Sequence, residues 1–193
     1  MKALFILFSL IIYKGSNAQD STRKYFFKEV SWSINLPSDF TKIDSVEDAA
    51  RNKRGEKAIE KTIKEDVDVS ATSTLISAKK SFNYFNATIT PYDPKIDGNY
   101  EKLSQELKDI MHATMVQNIS NARIDSSSSK TTIDGLVFNK FTITISIQGT
   151  EPFDMILLYR LYKGYDFGIT YLYLDKKTKE QIENMLLNSR FSK

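Results

Sequence analysis

The feature that most limits what this chain can fold into is a series of long runs joined by two-residue turns. Asp134-Gly135 and Lys163-Gly164 each separate two runs of strand-like residues, and in the run that follows each turn apolar side chains recur at every second position. A turn that short connects only neighbouring antiparallel strands, and Asp-Gly is the strongest short hairpin signal. Residues 123–133, 136–148, 155–162 and 165–174 therefore read as four consecutive antiparallel strands. In the second, Val137, Phe141, Ile143, Ile145 and Ile147 share one face, with Lys140, Thr142, Thr144 and Ser146 opposite. In the fourth, Phe167, Ile169, Tyr171 and Tyr173 share a face. The run from Met155 to Tyr162 is apolar on both faces, which predicts a central strand covered on both sides.

The N-terminal half alternates strands and helices. Residues 26–36 form a first strand with Val30, Trp32, Ile34 and Leu36 on one face, closed by the turn Pro37-Ser38-Asp39. Residues 40–43 read as a short continuation, 73–81 and 82–90 as two more strands. Ser45-Val46-Glu47-Asp48 matches a capping box in its acidic variant and opens a highly charged helix over 46–66, which is either continuous or broken at Gly55. Residues 100–119 carry Leu103, Leu107, Ile110, Met111 and Met115 in one stripe, so Leu107 and Met111 are expected to be buried. Thr178-Lys-Glu-Gln181 reads as a second capping box opening a helix over 178–189 with Ile182, Met185 and Leu186 inward. The fold class is thus α+β, with a mostly antiparallel sheet covered by helices on both faces as an α/β/α sandwich.

The first eighteen residues read as a secretory signal peptide. Lys2 precedes an apolar run over 3–13 interrupted only by Ser9, and Ser16-Asn17-Ala18 supplies the small residues of a cleavage site. Lys14 ends the run well short of the roughly 20 apolar residues of a spanning helix. The organisation is then a signal peptide over 1–18 and a single domain over 19–193, secreted or periplasmic, with no stable membrane insertion after cleavage. Export without cysteine fits a bacterial envelope protein better than a small secreted animal domain.

Composition removes most chemistries. The chain has no Cys and one His, so disulfides, thiolate metal sites and a Cys nucleophile are excluded. The net charge of +3 falls to +1 once Lys2 and Lys14 leave with the leader, which gives no reason to expect nucleic acid as a partner. His112, on the helix over 100–119, lacks a paired His for a metal and reads as a surface or packing residue. Asp66 and Asp68, and Asp93 and Asp97, read as helix-end and turn residues. Ser127-Ser-Ser-Lys130 satisfies a Ser-x-x-Lys pattern but lies in a Ser-rich strand without the other motifs such enzymes need. No catalytic residue, metal ligand or cofactor site is therefore assigned. Tyr159, Tyr162, Tyr165, Tyr171 and Tyr173 crowd two adjacent strands and read as sheet packing rather than a ring-stacking platform. Asn86-Ala-Thr88 and Asn118-Ile-Ser120 match glycosylation sequons, which matter only in a eukaryotic host. Arg51, Lys53, Arg54 and Lys57 are the candidate partner-binding residues, set against a plain solvated helix face with interleaved acids.

Ser33-Ile-Asn-Leu-Pro-Ser-Asp-Phe40 resembles the strand, Pro, small-polar, aromatic opening of the PsbP-like superfamily. That group includes photosystem extrinsic PsbP subunits, bacterial DcrB-like envelope proteins and a Ran-binding nuclear import factor. The central helix, the Asp134-Gly135 hairpin and the ending Asn188-Ser-Arg-Phe191 fit the same pattern over residues 28–191. The resemblance implies a binding or assembly module without catalysis, here with an unknown protein partner. A carrier of a small apolar ligand held between sheet and helix is the alternative, and a carboxylate-only hydrolase stands third.

Overall fold

The computed structural model describes residues 23–192. Ten strands and three helices follow one another as β1 (Arg23–Phe27), β2 (Trp32–Leu36), β3 (Thr41–Lys42), α1 (Ser45–Ile63), β4 (Ser73–Lys80), β5 (Asn83–Pro91), α2 (Tyr100–Asn118), β6 (Ala122–Ile133), β7 (Leu136–Ile147), β8 (Phe153–Tyr162), β9 (Tyr165–Tyr173), α3 (Lys176–Leu187) and β10 (Arg190–Phe191). The leader over 1–18 lies outside the described residues.

The two-residue turns fold as their chemistry demands. Asp134 and Gly135 take φ of 48° and 77°, and Lys163 and Gly164 take 51° and 80°, so both positions of each turn are left-handed and the strands meet in hairpin register. β6 to β9 form a meander. β5 pairs with β9 rather than with β6, because α2 first carries the chain across to the far edge. The resulting seven-stranded antiparallel sheet has the order β3-β4-β5-β9-β8-β7-β6, and β1, β2 and β10 make a second, three-stranded sheet.

The large sheet has two covered faces. One carries Phe85, Phe138, Ile156, Leu158, Phe167, Ile169 and Tyr171 and packs against the small sheet and the Ile182, Met185 and Leu186 side of α3. Trp32, fully buried, meets Phe167 with ring centroids 5.3 Å apart, and Phe191 of β10 stacks on Trp32 at 6.1 Å. Offset and edge contacts of this kind add about 0.5–1.5 kcal/mol each to the burial itself. The other face carries Phe141, Ile143, Ile145, Leu157 and Tyr159 beneath Met111 and Met115 of α2 and Ile119 just past its end. β8 is buried from Ile156 to Tyr159, the two-sided cover expected of it.

Five details correct or complete the sequence expectation. The strand read over 26–36 is two strands, because Ser31 takes a left-handed φ of 47° and its N–H bonds to the Lys28 carbonyl at 3.2 Å. The N-cap of α1 is Asp44, whose carboxylate accepts from the Val46 and Glu47 N–H groups, so Ser45 already lies in the helix. Likewise α3 is capped by Asp175, which accepts from the Thr178 N–H at 2.8 Å, and Thr178 is buried. Leu107 is 36% exposed, because the buried side of α2 centres on Tyr100, Ser104, Met111 and Met115 and leaves Leu103 and Leu107 on its flank. Gly55 does not break α1, which is continuous over nineteen residues.

Candidate functional site: the outer face of helix α1

α1 lies across the β4–β5 end of the sheet, on the same side as α2. Its inward side is polar. Glu47 accepts from Lys79 Nζ at 2.6 and 2.7 Å and from Arg51 at 3.3 Å. The Lys79 ammonium, by hydrogen bond first and charge second, holds the Glu47 carboxyl below its ordinary range. The Arg51 guanidinium sits 4.5 Å from the centre of the Tyr84 ring, a cation–π contact. Tyr84 in turn is bonded to Ser77 at 3.2 Å, and burial raises its hydroxyl. Arg51 therefore holds the helix to the sheet and is not a free contact residue, which removes it from the patch expected from sequence.

The remaining charges are sorted by side. Every acid of α1 is turned inward: Asp48 is buried, and Glu47, Glu56 and Glu60 are half-buried. Every fully exposed charge on the helix is a cation: Lys53, Arg54, Lys57 and Lys61. Lys53, Lys57 and Lys61 recur at intervals of four and so align along one side, with Arg54 beside them. None of the four makes an ion pair among the described residues. Sequence reasoning proposed interleaved acids as the plain explanation of this segment; the fold turns Glu56 and Glu60 inward and leaves Glu65 and Asp66 exposed just beyond the helix. It also adds Lys61, which the i+4 spacing from Lys57 would have found.

The other candidates resolve into structure. His112 borders an open groove between α2 and β6 with Gln105, Lys108, Asp109 and Ser128. Ser127 and Lys130 lie three residues apart on a strand, hence on opposite faces, and cannot act together. Asp97 accepts from the Asp93 N–H at 2.7 Å and Asp93 from the Lys95 N–H at 2.9 Å, which is turn chemistry. Asp68 likewise accepts from the Ser70 N–H, and the Ser70 hydroxyl first and this N–H second lower its carboxyl. Tyr159, Tyr171 and Tyr173 are buried, so they form no exposed platform. Asn86 is buried in β5 and closed to modification, whereas Asn118 is exposed. No three described His, Asp or Glu side chains stand close enough together to hold a metal ion.

Two part-buried carboxylates escaped the sequence reading. Asp154 accepts from Tyr173 Oη at 2.6 Å and Thr144 Oγ1 at 2.7 Å. Asp166 accepts from Tyr100 Oη at 2.6 Å, and burial raises its carboxyl against the lowering effect of that bond. Strand parity puts Asp154 with Ile156 on the α3 side and Asp166 with Gly168 on the α2 side. The pair flanks the sheet and cannot flank one substrate. Between α3 and the β6–β8 strands lies a recess of about 130 Å³, lined by Ile133, Lys140, Leu158, Tyr171, Glu183 and Leu186.

No helix among the described residues is long and apolar enough to cross a membrane. The architecture is that of an α+β domain built on one antiparallel sheet with helices on both faces and a small accessory sheet. No known family profile matches the chain, and no curated protein matches it in sequence. In three dimensions it is similar to cyanobacterial PsbP (CyanoP) from Synechocystis sp. PCC 6803, a solution structure. The TM-score is 0.57 at 8% identity, covering 92% of this chain and 96% of that one. The fold is PsbP-like, and at that identity the likeness speaks to fold alone.

Proposed function

We propose that this protein is an exported, non-catalytic binding or assembly module of the bacterial cell envelope that docks an acidic protein surface on the outer face of α1. The observation that carries the reading is the charge sorting on that helix, with four exposed cations and no exposed acid. With a net charge of only +3 over the whole chain, attraction is local to this face and not a property of the molecule. Lys2, the apolar run and Ser16-Asn17-Ala18 support export with removal of residues 1–18. The PsbP-like shape supports the same reading, since the resemblance implies binding or assembly. Carriage of an apolar ligand is less favoured: the recess between α3 and the β6–β8 strands is well below the roughly 300 Å³ at which small-molecule sites begin, and the larger hollows of about 690 and 620 Å³ along α3 are open and lined by charged and amide side chains such as Lys177, Glu180, Gln181, Lys179 and Glu183.

The test is a pull-down from native envelope with the wild type and with a variant carrying Lys53→Glu, Arg54→Glu, Lys57→Glu and Lys61→Glu. The expected result is a partner captured by the wild type, released by raised salt and absent with the variant. Capture that survives the reversal would remove α1 as the contact. A stoichiometric small molecule in native mass spectrometry would replace docking with carriage.

A further inference from the structure

The large sheet ends differently on its two sides. β4 is covered by the two-residue β3, which pairs Thr41 with Lys79 and Lys42 with Ala78, and by the Ile43 N–H bonding to the Ser77 carbonyl at 2.8 Å. A very short outer strand is a common protection of an edge. On the far side β6 runs for twelve residues with no described strand beyond it. Its register with β7 is unbroken from Ala122↔Ile147 to Ile133↔Leu136, so no bulge twists it away. It contains no Pro or Gly, and every residue from Asp125 to Lys130 is exposed.

The hairpin turn settles which backbone groups face outward. In a turn with two left-handed residues, the flanking pair Ile133↔Leu136 exchanges both hydrogen bonds. Such pairs alternate along an antiparallel ladder. The odd-numbered residues of β6 therefore bond to β7. Ala122, Ile124, Ser126, Ser128, Lys130 and Thr132 direct N–H and C=O away from the sheet, and no backbone partner meets them among the described residues.

We propose that β6 pairs antiparallel with β6 of a second copy of this chain, about a two-fold axis at Ser127, joining two sheets into one. The strand is complementary to itself in that register. Ser126 meets Ser128 of the second copy, Ser127 meets its own equivalent, and cross-strand hydroxyl pairs of this kind are favourable. Lys130 falls opposite Ile124, Asp125 opposite Ser129 and Arg123 opposite Thr131, so no like charges meet. All six outward residues find partners, and moving the axis to Ser126 or Ser128 loses a pair. A foreign extended peptide is selected by pockets for its alternate side chains. The centre of β6 is four serines, and the groove it shares with α2 is lined by the polar Gln105, Lys108, Asp109 and His112 rather than by an apolar pocket that would select a side chain, whereas the two-fold pairing matches the strand to its own sequence and closes on itself.

The chain lacks Cys, so one introduced thiol reports one contact. Ser127→Cys sets two thiols across a non-hydrogen-bonded pair, where Cα atoms are about 4.5 Å apart and a disulfide fits. Mild oxidation is expected to give a covalent dimer of Ser127→Cys and not of Phe82→Cys, whose exposed position lies on the β4–β5 turn. Sedimentation of the wild type is expected to show a concentration-dependent doubling of mass. Ser128→Pro removes an outward N–H without touching a β7 bond, and is expected to raise the dimer Kd by about tenfold or more with circular dichroism unchanged. A wild type that stays monomeric at every concentration overturns the proposal. So does a dimer that tolerates Ser128→Pro, or one whose Ser127→Cys thiol crosslinks no more than that of Phe82→Cys.

Discussion

Tyr100→Phe probes how the sheet tolerates a carboxylate beneath α2. The phenol donates to Asp166 Oδ1 at 2.6 Å, and its ring stands edge-on to Tyr92 with centroids 5.4 Å apart. Phenylalanine keeps the ring contact and removes only the donor. A hydrogen bond to a charged group contributes about 1.5–3 kcal/mol, and the partial exposure of both groups here places the loss near 1–2 kcal/mol at neutral pH. For a domain of this size that lowers Tm by about 2–8 °C. The loss depends on pH with a definite sign. Burial raises the folded-state carboxyl of Asp166 above its ordinary value of 3.8. Between the unfolded and folded values the native state holds more protons, so stability falls as pH rises through that window. The Tyr100 hydroxyl opposes the rise, and its removal carries the window higher. The deficit of Tyr100→Phe is therefore largest at neutral pH and shrinks at an acid pH below the raised folded-state value of Asp166, where the bond joins two neutral groups and contributes about 0.5–1.5 kcal/mol. Urea melts of both proteins at the two pH values, followed by circular dichroism, measure it. A deficit below about 0.5 kcal/mol at neutral pH, or one equal at both, would refute the reasoning.

Gly55 is helical, exposed and has nothing within 4 Å of where a Cβ would stand, so Gly55→Ala should stabilise the protein by about 0.5–1 kcal/mol in urea melts. Leu107→Ala should cost less than about 1 kcal/mol, because the residue is already part-solvated; a cost above about 2 kcal/mol would mean that α2 is rotated from its place here. Phe167→Ala should cost about 3–5 kcal/mol, since the ring is fully buried between Trp32 and Phe138, and a smaller loss would show that this aromatic cluster is loosely packed.

Legibility followed the range of the interactions involved. The hairpins after Asp134-Gly135 and Lys163-Gly164 were readable because two residues fix both the turn and the strand direction. The split of the first strand was not. Its turn uses Ser31 in a left-handed conformation without Gly or Pro, and Val30 stays fully buried, so the apolar alternation runs through the turn unbroken. The caps failed for a related reason. Asp44 lies one residue before the expected cap Ser45 and Asp175 three before the expected cap Thr178, and each carboxylate takes first-turn N–H groups of its helix. Leu107 was misplaced because the α2 stripe is wide: Ser104 and Thr114 are buried while Leu103 and Leu107 are part-exposed, a rotation of the helix that only its bed decides. Asp166 and Asp154 lay beyond reach, since their phenol partners stand 66 and 19 positions away.

The α1 patch shows the same boundary within one helix. Arg51, Lys53, Arg54 and Lys57 are equivalent as a string of cations, yet Arg51 is four residues from Glu47 and inherits the side that faces Tyr84. That division separates stability from contact. The inward side of α1 fully buries only Asp48, and its Oδ1, like Arg51 Nε, is buried without a protein partner. So the first half of the helix is held by a few polar links, and only Ala58, Ile59 and Ile63 add partly buried apolar contact further along. Lys53, Arg54, Lys57 and Lys61 contribute to none of those links. Reversing them leaves the Glu47–Lys79 and Arg51–Tyr84 contacts in place and adds like-charge repulsion only at exposed, screened positions. Arg51→Ala should therefore lower Tm by a few degrees while the four-residue reversal leaves it nearly unchanged, as differential scanning calorimetry would report. Equal losses from the two variants would mean that the outer cations hold the helix in place, and that their exposure marks no partner.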